Sequence, residues 1–413
     1  MNKMDAARNL TKIIGLICYR RFHDPEITGD RFQRVADTVL GKMRWLYVSQ
    51  VRQIEKAERG SGIEEYFSHR NISIPSSDDP LLTVTAGGDI LAVDRINAGS
   101  TRNLFTEVQN FYFNADLRCA NLESCVDPDS PVGRNQVFER PAAMNTSPEM
   151  IKNLYLGGRG INYLSTASNH SNDYDLRGLT NTVSSLDKIG ILHSGTVGDP
   201  SERPYELFEK NGVRIAILSF TFDPNSPSAV PWYLNEAPLN DVDPDFSEIS
   251  KQIRSAKDEG ADLIFAYMHW GWEFEMYPHA LTVKNAHELV DLGIDVIFGS
   301  HPHVAQPYEQ YTAKDGRDSL IIYSFGDFVT DHPRSMDSRL SYIVKFSVSD
   351  KLKICNFDVL PVYTLITGDK SASECRIVPF SSVLNDPSRL TENEKNDLPR
   401  LKSVLEKIIL HQN

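Results

Sequence analysis

Three apolar segments in the second half of the chain each end in polar residues suited to chemistry. Residues 263–268, 296–298 and 321–323 are short runs of apolar and β-prone residues, as expected of buried strands. Residues 281–292 lie between the first two runs and carry apolar residues at helical spacing. Strand, helix and strand in this order predict an α/β sheet whose functional site lies beyond the carboxyl ends of its strands.

The same kinds of pattern predict further elements before and after this stretch. We predict strands over residues 81–86, 116–123, 161–166, 213–220, 341–349 and 354–362. We predict helices over residues 30–59, 144–156, 179–189, 246–259 and 390–411. Ser147 is the predicted N-cap of the second of these helices, with Pro148 in its first turn. The proline-rich stretch 223–245 is typical of a long surface loop that can cover a substrate.

These elements divide the chain into three predicted parts. Residues 1–80 form an N-terminal helical extension that ends in a stretch rich in Ser, Asp and Pro. Residues 81–365 form the α/β domain, and residues 366–413 form a C-terminal segment ending in a helix. We expect the extension to pack against the main domain or against a second copy of the chain. In the second case, residues 1–80 would build a homo-oligomer.

Seven polar residues that follow predicted strands are of types that bind metal ions. They are Asp89, Glu123, Asn169, His170, His269, His301 and His303. Carboxylate, amide and imidazole ligands suit Mn²⁺, Zn²⁺, Fe and Mg²⁺, and one carboxylate can bridge two ions about 3.5–4 Å apart. Each residue alone also has a structural explanation, since an Asp can cap a helix and a His can be a hydrogen-bonded surface residue. Their recurrence after separate strands predicts a metal site.

The composition narrows the class of protein. With a formal net charge of −13 over 413 residues, the chain lacks the basic balance that nonspecific binding of nucleic acid or of an anionic membrane requires. The five cysteines are scattered, and no apolar run has the length of a membrane span or a secretory core. We therefore expect a cytoplasmic protein with no membrane span and no nucleic-acid partner. The absence of a P-loop argues against a nucleotide-binding enzyme.

Six short motifs carry a resemblance to a known family. They are G-D-I at 88–90, N-L-E at 121–123, S-N-H-S-N-D-Y at 168–174, H-W-G-W-E-F-E at 269–275, G-S-H-P-H-V at 299–304 and Y-S-F-G-D-F at 323–328. In this order and spacing, the chain resembles the bacterial capsule-synthesis CapA proteins, the poly-γ-glutamate capsule family, which are similar to calcineurin-like metallophosphoesterases. The resemblance implies a four-layer α/β/β/α sandwich of the metallo-dependent phosphatase type.

The resemblance also implies roles for the residues at the strand ends. Asp89 would bind one metal ion, and Glu123 would stand where the bridging carboxylate belongs. The residues implied to complete the sites are Asn169, His269 and His301 for one ion and His303 for the other. His170 follows the Asn as the general acid of the phosphoesterases does, so it would protonate a leaving group. The implied cofactors are one or two divalent ions of Mn, Zn or Fe.

Two positions depart from the family pattern. The first motif has Ile90 and Leu91 after the Asp, where phosphoesterases have Asp-x-His, so one metal site lacks a ligand. The last motif has Asp327 where the family has the Asn of Gly-Asn-Phe. Asp327 adds a carboxylate near the site and is predicted, with His170, to be catalytic. The predicted substrate-binding residues are Arg140, Glu273 and Ser324, the first of them in an F-E-R-P segment that resembles the family's own.

The favoured function is that of a metal-dependent, hydrolase-like enzyme. It would cleave a phosphoester or a γ-glutamyl-type amide through a metal-activated water. Its substrate would be a small molecule or a glutamate-like compound of poly-γ-glutamate or capsule metabolism. The alternative is a non-catalytic accessory protein that uses a degenerate metal site to bind a glutamate-like polymer or protein partners. The missing His of the first motif supports the alternative, and the other ligand-type residues support the enzyme.

Overall fold

A computed structural model describes residues 39–93, 95–137, 141–226, 231–331, 336–369 and 372–410, together with Ile13 and Pro25. In chain order the strands are β1 (Leu82–Ile90), β2 (Leu117–Leu122), β3 (Gly133–Asn135), β4 (Ala143–Asn145), β5 (Tyr163–Ser165), β6 (Leu192–Ser194), β7 (Glu206–Lys210), β8 (Val213–Thr221), β9 (Leu263–His269), β10 (Val296–Ser300), β11 (Tyr308–Thr312), β12 (Asp318–Ile322), β13 (Asp327–Val329), β14 (Leu340–Val348), β15 (Ile354–Thr367) and β16 (Glu374–Pro379). The α-helices are α1 (Val39–Gln50), α2 (Ile63–Ser68), α3 (Gln109–Tyr112), α4 (Pro148–Tyr155), α5 (Asp175–Ile189), α6 (Ser247–Asp258), α7 (Ala280–Asp291), α8 (Phe380–Asn385) and α9 (Glu392–Val404).

The strands form two large mixed sheets and one small ribbon. The first sheet has the order β16-β15-β14-β1-β2-β5-β6, with β13 also paired to β1. The second has the order β11-β12-β10-β9-β8-β7, and β3 pairs with β4. The central strands β1, β2 and β5 run parallel, as do β8, β9, β10 and β12. Their carboxyl ends therefore gather at one edge of each sheet.

The two sheets pack face to face between layers of helices. Phe265 of β9 meets Phe346 of β14 with ring centroids 5.8 Å apart, and Tyr163 of β5 stacks on Tyr267 of β9 at 6.0 Å. Successive residues of a strand point to opposite faces. The outward face of the first sheet shares a core with α4 and α5, and α6 and α7 bury their apolar faces in the core of the second. The four-layer α/β/β/α sandwich is thus confirmed.

Most predicted elements are confirmed, with shifted ends. Helix α4 begins after Ser147, whose side chain accepts a hydrogen bond from the Met150 backbone, with Pro148 in its first turn. Met144, predicted in that helix, belongs to β4 instead. The helix predicted over 30–59 ends at Gln50, and its first nine residues lie outside the described part of the chain. The helix predicted over 390–411 changes to π-helical hydrogen bonding at Leu405–Ile409.

The segment before residue 80 and the segment after residue 365, predicted to be separate parts, both contact the main sheets. Ile54 bridges to Glu275, and Phe67 of α2 is fully buried with its ring 5.4 Å from that of Tyr323. At the other boundary, position 365 falls inside β15, and β16 forms the edge of the first sheet. The division into three parts remains a prediction. No helix among the described residues has both the length and the apolarity needed to cross a bilayer.

Candidate metal centre

Asp89 is held at the carboxyl edge of the first sheet by a close crossing of backbones. In β1 its Cα is in register with Asp327 of β13 and with Asn121 of β2. A Cβ on the preceding Gly88 would stand 2.0 Å from the Gly326 carbonyl oxygen, so only glycine fits there. The Asp89 carboxylate is fully buried and accepts hydrogen bonds from Asn121 Nδ2 at 2.9 Å and from the backbone N–H of His301 at 3.2 Å.

Glu123 is a fully buried carboxylate that follows β2 directly. Neither of its oxygens has a hydrogen-bond partner among the described residues. Two imidazole nitrogens lie close to its Oε1: His303 Nε2 at 3.5 Å and His269 Nε2 at 3.7 Å. Burying a carboxylate without a hydrogen-bond donor costs roughly several kcal/mol, and a cation coordinated by the carboxylate offsets that cost. The position of Glu123 therefore fits a metal ligand better than it fits a structural role.

Glu123 is common to two groups of potential ligands. One group contains Glu123, His269 and His301, and the other contains Asp89, Glu123 and His303. Within each group the ligand atoms lie within 4.8 Å of one another. The structure thus brings together five of the six residues predicted to bind metal. The sixth, Asn169, lies beside them, with its Oδ1 accepting a hydrogen bond from His269 Nε2 at 3.0 Å.

The backbone after β10 adopts a conformation that L-residues rarely take. His301 has φ 97° and His303 has φ 57°. Residues other than glycine are uncommon at positive φ, and such strain persists where the surroundings impose it, often at functional sites. The turn directs the His301 backbone N–H to Asp89 and places the His303 imidazole next to Glu123.

Neighbouring side chains orient two of the imidazoles. Ser300 Oγ lies 2.9 Å from His269 Nδ1, and the two residues are in register on adjacent strands. His303 Nδ1 donates to Asp327 Oδ1 at 2.8 Å. Such contacts fix the ring and the tautomer of a metal-binding histidine. Asp327, predicted to be catalytic, therefore lies behind His303, where it orients that ring.

Burial and mutual proximity set the charges of the centre. Burial and the adjacent His301 lower the pKa of His269 well below its usual value, and burial and His303 do the same for His301. Both rings are therefore neutral, as metal ligation requires. Burial raises the pKa of Asp89 to about 7 and that of Glu123 well above its usual value. Burial opposes protonation of His303, but the carboxylates of Glu123 and Asp327 raise its pKa well above the ordinary value.

His170 lies at the margin of this centre with its ring held by a carboxylate. Its Nδ1 is 2.6 Å from Asp173 Oδ2, which also accepts the Met144 backbone N–H at 2.7 Å. Asn225 approaches the same ring, with Nδ2 3.4 Å from His170 Nε2. A carboxylate that accepts from Nδ1 fixes the orientation of the ring and leaves Nε2 as the nitrogen that can exchange a proton, as in a general acid or base.

The three predicted substrate-binding residues have different surroundings. Arg140 lies outside the described residues. Ser324 is fully buried, and its Oγ accepts the Gly326 backbone N–H at 3.0 Å, so its hydroxyl stabilises the turn before β13. Glu273 is a quarter exposed, and its Oε1 lies 3.9 Å from His303 Nε2. Of the three, Glu273 lies at the edge of the centre.

Residues outside the predicted set also shape the site. Asn121 contacts the Asp89 carboxylate, and Ser300 contacts the His269 ring. Both residues could have been found from the sequence, because each lies in a motif within two positions of a predicted ligand. Phe222, whose ring centroid is 4.8 Å from that of His301, and Asn225 come from the proline-rich loop region. No periodicity or motif marks these two residues, because their positions depend on how that region folds over the sheet edge.

Comparison with known proteins gives a family and several relatives. The family described as bacterial capsule synthesis protein PGA_cap matches residues 83–332. The capsule biosynthesis protein CapA of Bacillus anthracis is 29% identical over 269 residues, which are 63% of this chain and 62% of that protein. The PGA biosynthesis protein CapA of Bacillus subtilis is 25% identical, covering 69% of this chain and 74% of that protein.

Two further likenesses were found. A probable polyglutamine synthesis accessory protein of Mycobacterium tuberculosis is 30% identical over 52% of this chain and 56% of its own length. Among solved structures, a 5′-nucleotidase precursor from Thermus thermophilus aligns with 79% of this chain and 58% of its own, at 13% identity and a TM-score of 0.40.

Proposed function

Because the chain belongs to the family of bacterial capsule synthesis protein PGA_cap, we propose that it is a metal-dependent hydrolase acting in capsule or polyglutamate metabolism. The bond cleaved would be a phosphoester or a γ-glutamyl-type amide. Relatives named for capsule, PGA and polyglutamine synthesis support the metabolic assignment. The proposed hydrolytic chemistry rests on the candidate metal centre at the carboxyl ends of the strands.

The observation that carries the proposal is the state of Glu123. It is a fully buried carboxylate without a hydrogen-bond donor in the part of the chain that the structure describes, and two ligand groups share it. Such a state is expected where a carboxylate bridges two ions. Asp89 and His303 would complete one group, and His269 and His301 the other. A divalent ion held there would supply Lewis-acid polarisation and activate water as the nucleophile.

The remaining residues would position groups and move a proton. Asp173 orients the His170 ring by its contact with Nδ1. In the doubly protonated ring, Nε2 would deliver its proton to the leaving group and the ring would become neutral, with its remaining proton on Nδ1. Asp327 orients His303, and Ser300 orients His269. These contacts hold the imidazoles before any substrate arrives, which reduces the reorganisation needed at the reacting centre.

The first test is the metal content of the protein purified without added metal or chelator. We expect about two equivalents of Mn, Fe or Zn, lost in the double variant His301→Ala/His303→Ala. His170→Ala should keep the metal while turnover of bis(p-nitrophenyl) phosphate or γ-glutamyl-p-nitroanilide falls about 10²–10⁴-fold. His69→Ala, at an exposed position, is the matched control and should change neither. A protein that acquires no Mn²⁺ or Zn²⁺ contradicts the proposal.

A second candidate function is that of a non-catalytic accessory protein. Two observations favour it: Leu91 stands where the His of the Asp-x-His pattern is expected, and one relative is named as an accessory protein. Such a protein would bind a glutamate-like polymer or protein partners. Bound metal with no turnover of either probe, and no effect of His170→Ala on binding of oligoglutamate, would select this function.

A further inference from the structure

Helix α1 lies outside the residues matched by the family, yet one of its side chains reaches the edge of the candidate centre. The match covers residues 83–332, whereas α1 is Val39–Gln50. Trp45 Nε1 donates a hydrogen bond to Oε2 of Glu273. The other oxygen of that carboxylate lies 3.9 Å from His303 Nε2. A residue from the N-terminal segment thus contacts a group that faces the metal ligands.

Helix α1 is attached to the domain on both sides of this contact. Arg44 pairs with Glu275 at 3.2 Å, and both side chains are buried. Tyr47 and Val48 share a small hydrophobic core with Phe274. The ring of Phe274 in turn stacks on His303, with centroids 5.7 Å apart. The position of Trp45 is therefore fixed by buried contacts of the residues beside it in the helix.

Trp45 differs from its neighbours in exposure. Its side chain is 46% exposed, whereas Tyr47 is 7% and Val48 is 2% exposed. The edge of the indole contacts the domain, through Glu273 and an edge-on approach to Phe274 at 6.3 Å. The exposed part of an indole at the edge of the candidate centre offers a rigid apolar surface to a ligand, and Glu273 offers a hydrogen-bond acceptor.

We propose that helix α1 forms one wall of the candidate site and that Trp45 is a positioning residue that selects the substrate. It holds the Glu273 carboxylate at the edge, and its ring face contacts the part of the substrate beyond the reacting group. That part is a chain with methylene groups and an amide N–H, such as a γ-glutamyl residue. The inference rests on the proposed function and narrows it to the amide substrate.

The test uses the full chain labelled with 5-fluorotryptophan and loaded with Zn²⁺. Each of the four tryptophans gives a ¹⁹F resonance, and Trp45→Phe assigns the one that belongs to Trp45. The ligands are inorganic phosphate and the dipeptide γ-glutamyl-glutamate. We expect the dipeptide to shift the Trp45 resonance and phosphate to leave it unchanged.

Affinities measured for variants by calorimetry complete the test. Trp45→Ala should weaken dipeptide binding about fivefold or more, and Trp45→Phe, which keeps an aromatic face, should recover part of that loss. Phosphate binding should stay within about twofold in both, because phosphate does not extend to the wall. Val39→Ala, at a 78% exposed position on the same helix, is the control and should match the wild type.

The outcomes separate this inference from the proposed function. A protein that takes up no Zn²⁺ overturns the proposed function and with it the inference. Uptake of Zn²⁺ with a dipeptide that fails to bind, or that binds without moving the Trp45 resonance, overturns the inference alone. Equal losses for dipeptide and phosphate in Trp45→Ala also overturn it, since they indicate a general structural effect of α1.

Discussion

Two clusters of histidines and carboxylates, both largely buried, include the two ends of the H-W-G-W-E-F-E segment: His269 belongs to one and Glu275 to the other. The clusters differ in how their charged groups are paired. In the candidate metal centre, Glu123 accepts no hydrogen bond from the residues that the structure describes, although His303 Nε2 lies 3.5 Å from its Oε1. In the second cluster, formed by Arg44, Glu58, Glu275 and His279, each charge has an opposite partner. His279 contacts Glu275 at 2.7 Å and Glu58 at 3.2 Å, and Arg44 contacts Glu275 at 3.2 Å.

The pKa values follow the same division. Burial lowers the pKa of His279, but its bonds to Glu275 and Glu58 outweigh burial and raise the pKa to about 9. In the metal centre, burial lowers the pKa of His269 and His301 without such compensation. Similar residue types therefore build an ion-pair network in one place, whereas in the other two of the three imidazoles, His269 and His301, are neutral. The candidate functional site is thus distinguished less by its residue types than by a buried carboxylate, Glu123, that accepts no hydrogen bond from the described residues.

Glu123→Gln should have the largest effect and separates the clusters most clearly. The variant should lose bound metal, because it removes the carboxylate shared by both ligand groups. In the presence of a chelator it should be more stable than the wild type by about 1–3 kcal/mol at pH 7, because the variant removes a buried carboxylate that accepts no hydrogen bond from the described residues. Metal analysis and urea unfolding check both results. Lower stability of the metal-free variant would show that Glu123 is a structural residue.

Glu275→Gln should have the opposite signature. Removing this charge leaves Arg44 and His279 buried with fewer partners, so the free energy of unfolding should fall by about 3 kcal/mol. Metal content should be unchanged. Glu248→Gln, in the exposed pair with Lys251, is the control and should change stability by less than about 0.5 kcal/mol. Loss of metal in Glu275→Gln would remove the distinction between the clusters.

Asp327→Asn tests the orientation of the His303 ring. Asn can still accept the hydrogen bond from His303 Nδ1, but it lacks the negative charge. We expect metal affinity to fall about 10–100-fold. Titration with Zn²⁺ against a competing chelator measures the change. An affinity equal to that of the wild type would assign Asp327 to another role, such as the catalytic one predicted from the sequence.

The pH dependence of the ion-pair cluster should give the smallest effect. The pKa of His279 is raised from 6.5 to about 9 in the folded state, so its contribution to stability is complete below pH 6.5 and is lost as the pH rises through about 9. His279→Gln should abolish this alkaline loss. Urea unfolding at several pH values from about 6 to about 10 measures this loss of stability. An unchanged alkaline slope in the variant would assign the loss to other groups.

The motif residues were predictable because of how parallel strands end. Asp89, Glu123, His269 and His301 lie in or directly after strands that run parallel in their sheets, so their side chains meet at the sheet edge. Trp270, the residue after His269 in the same motif, has a structural role: it is fully buried, and its Nε1 donates to the Tyr323 carbonyl at 3.0 Å. The helix start at Ser147 followed from local capping chemistry.

What the sequence alone determined is the family, the α/β pattern and the residues at the strand ends, because these depend on local periodicity and short motifs. Only the tertiary structure decided which of those residues meet, that Asp327 lies behind His303, and that Ser324 supports a turn. It also decided that Trp45 reaches Glu273, 228 positions away in the chain. Contacts of such separation depend on how the layers and the N-terminal segment pack against each other, and no local pattern of residues encodes that packing.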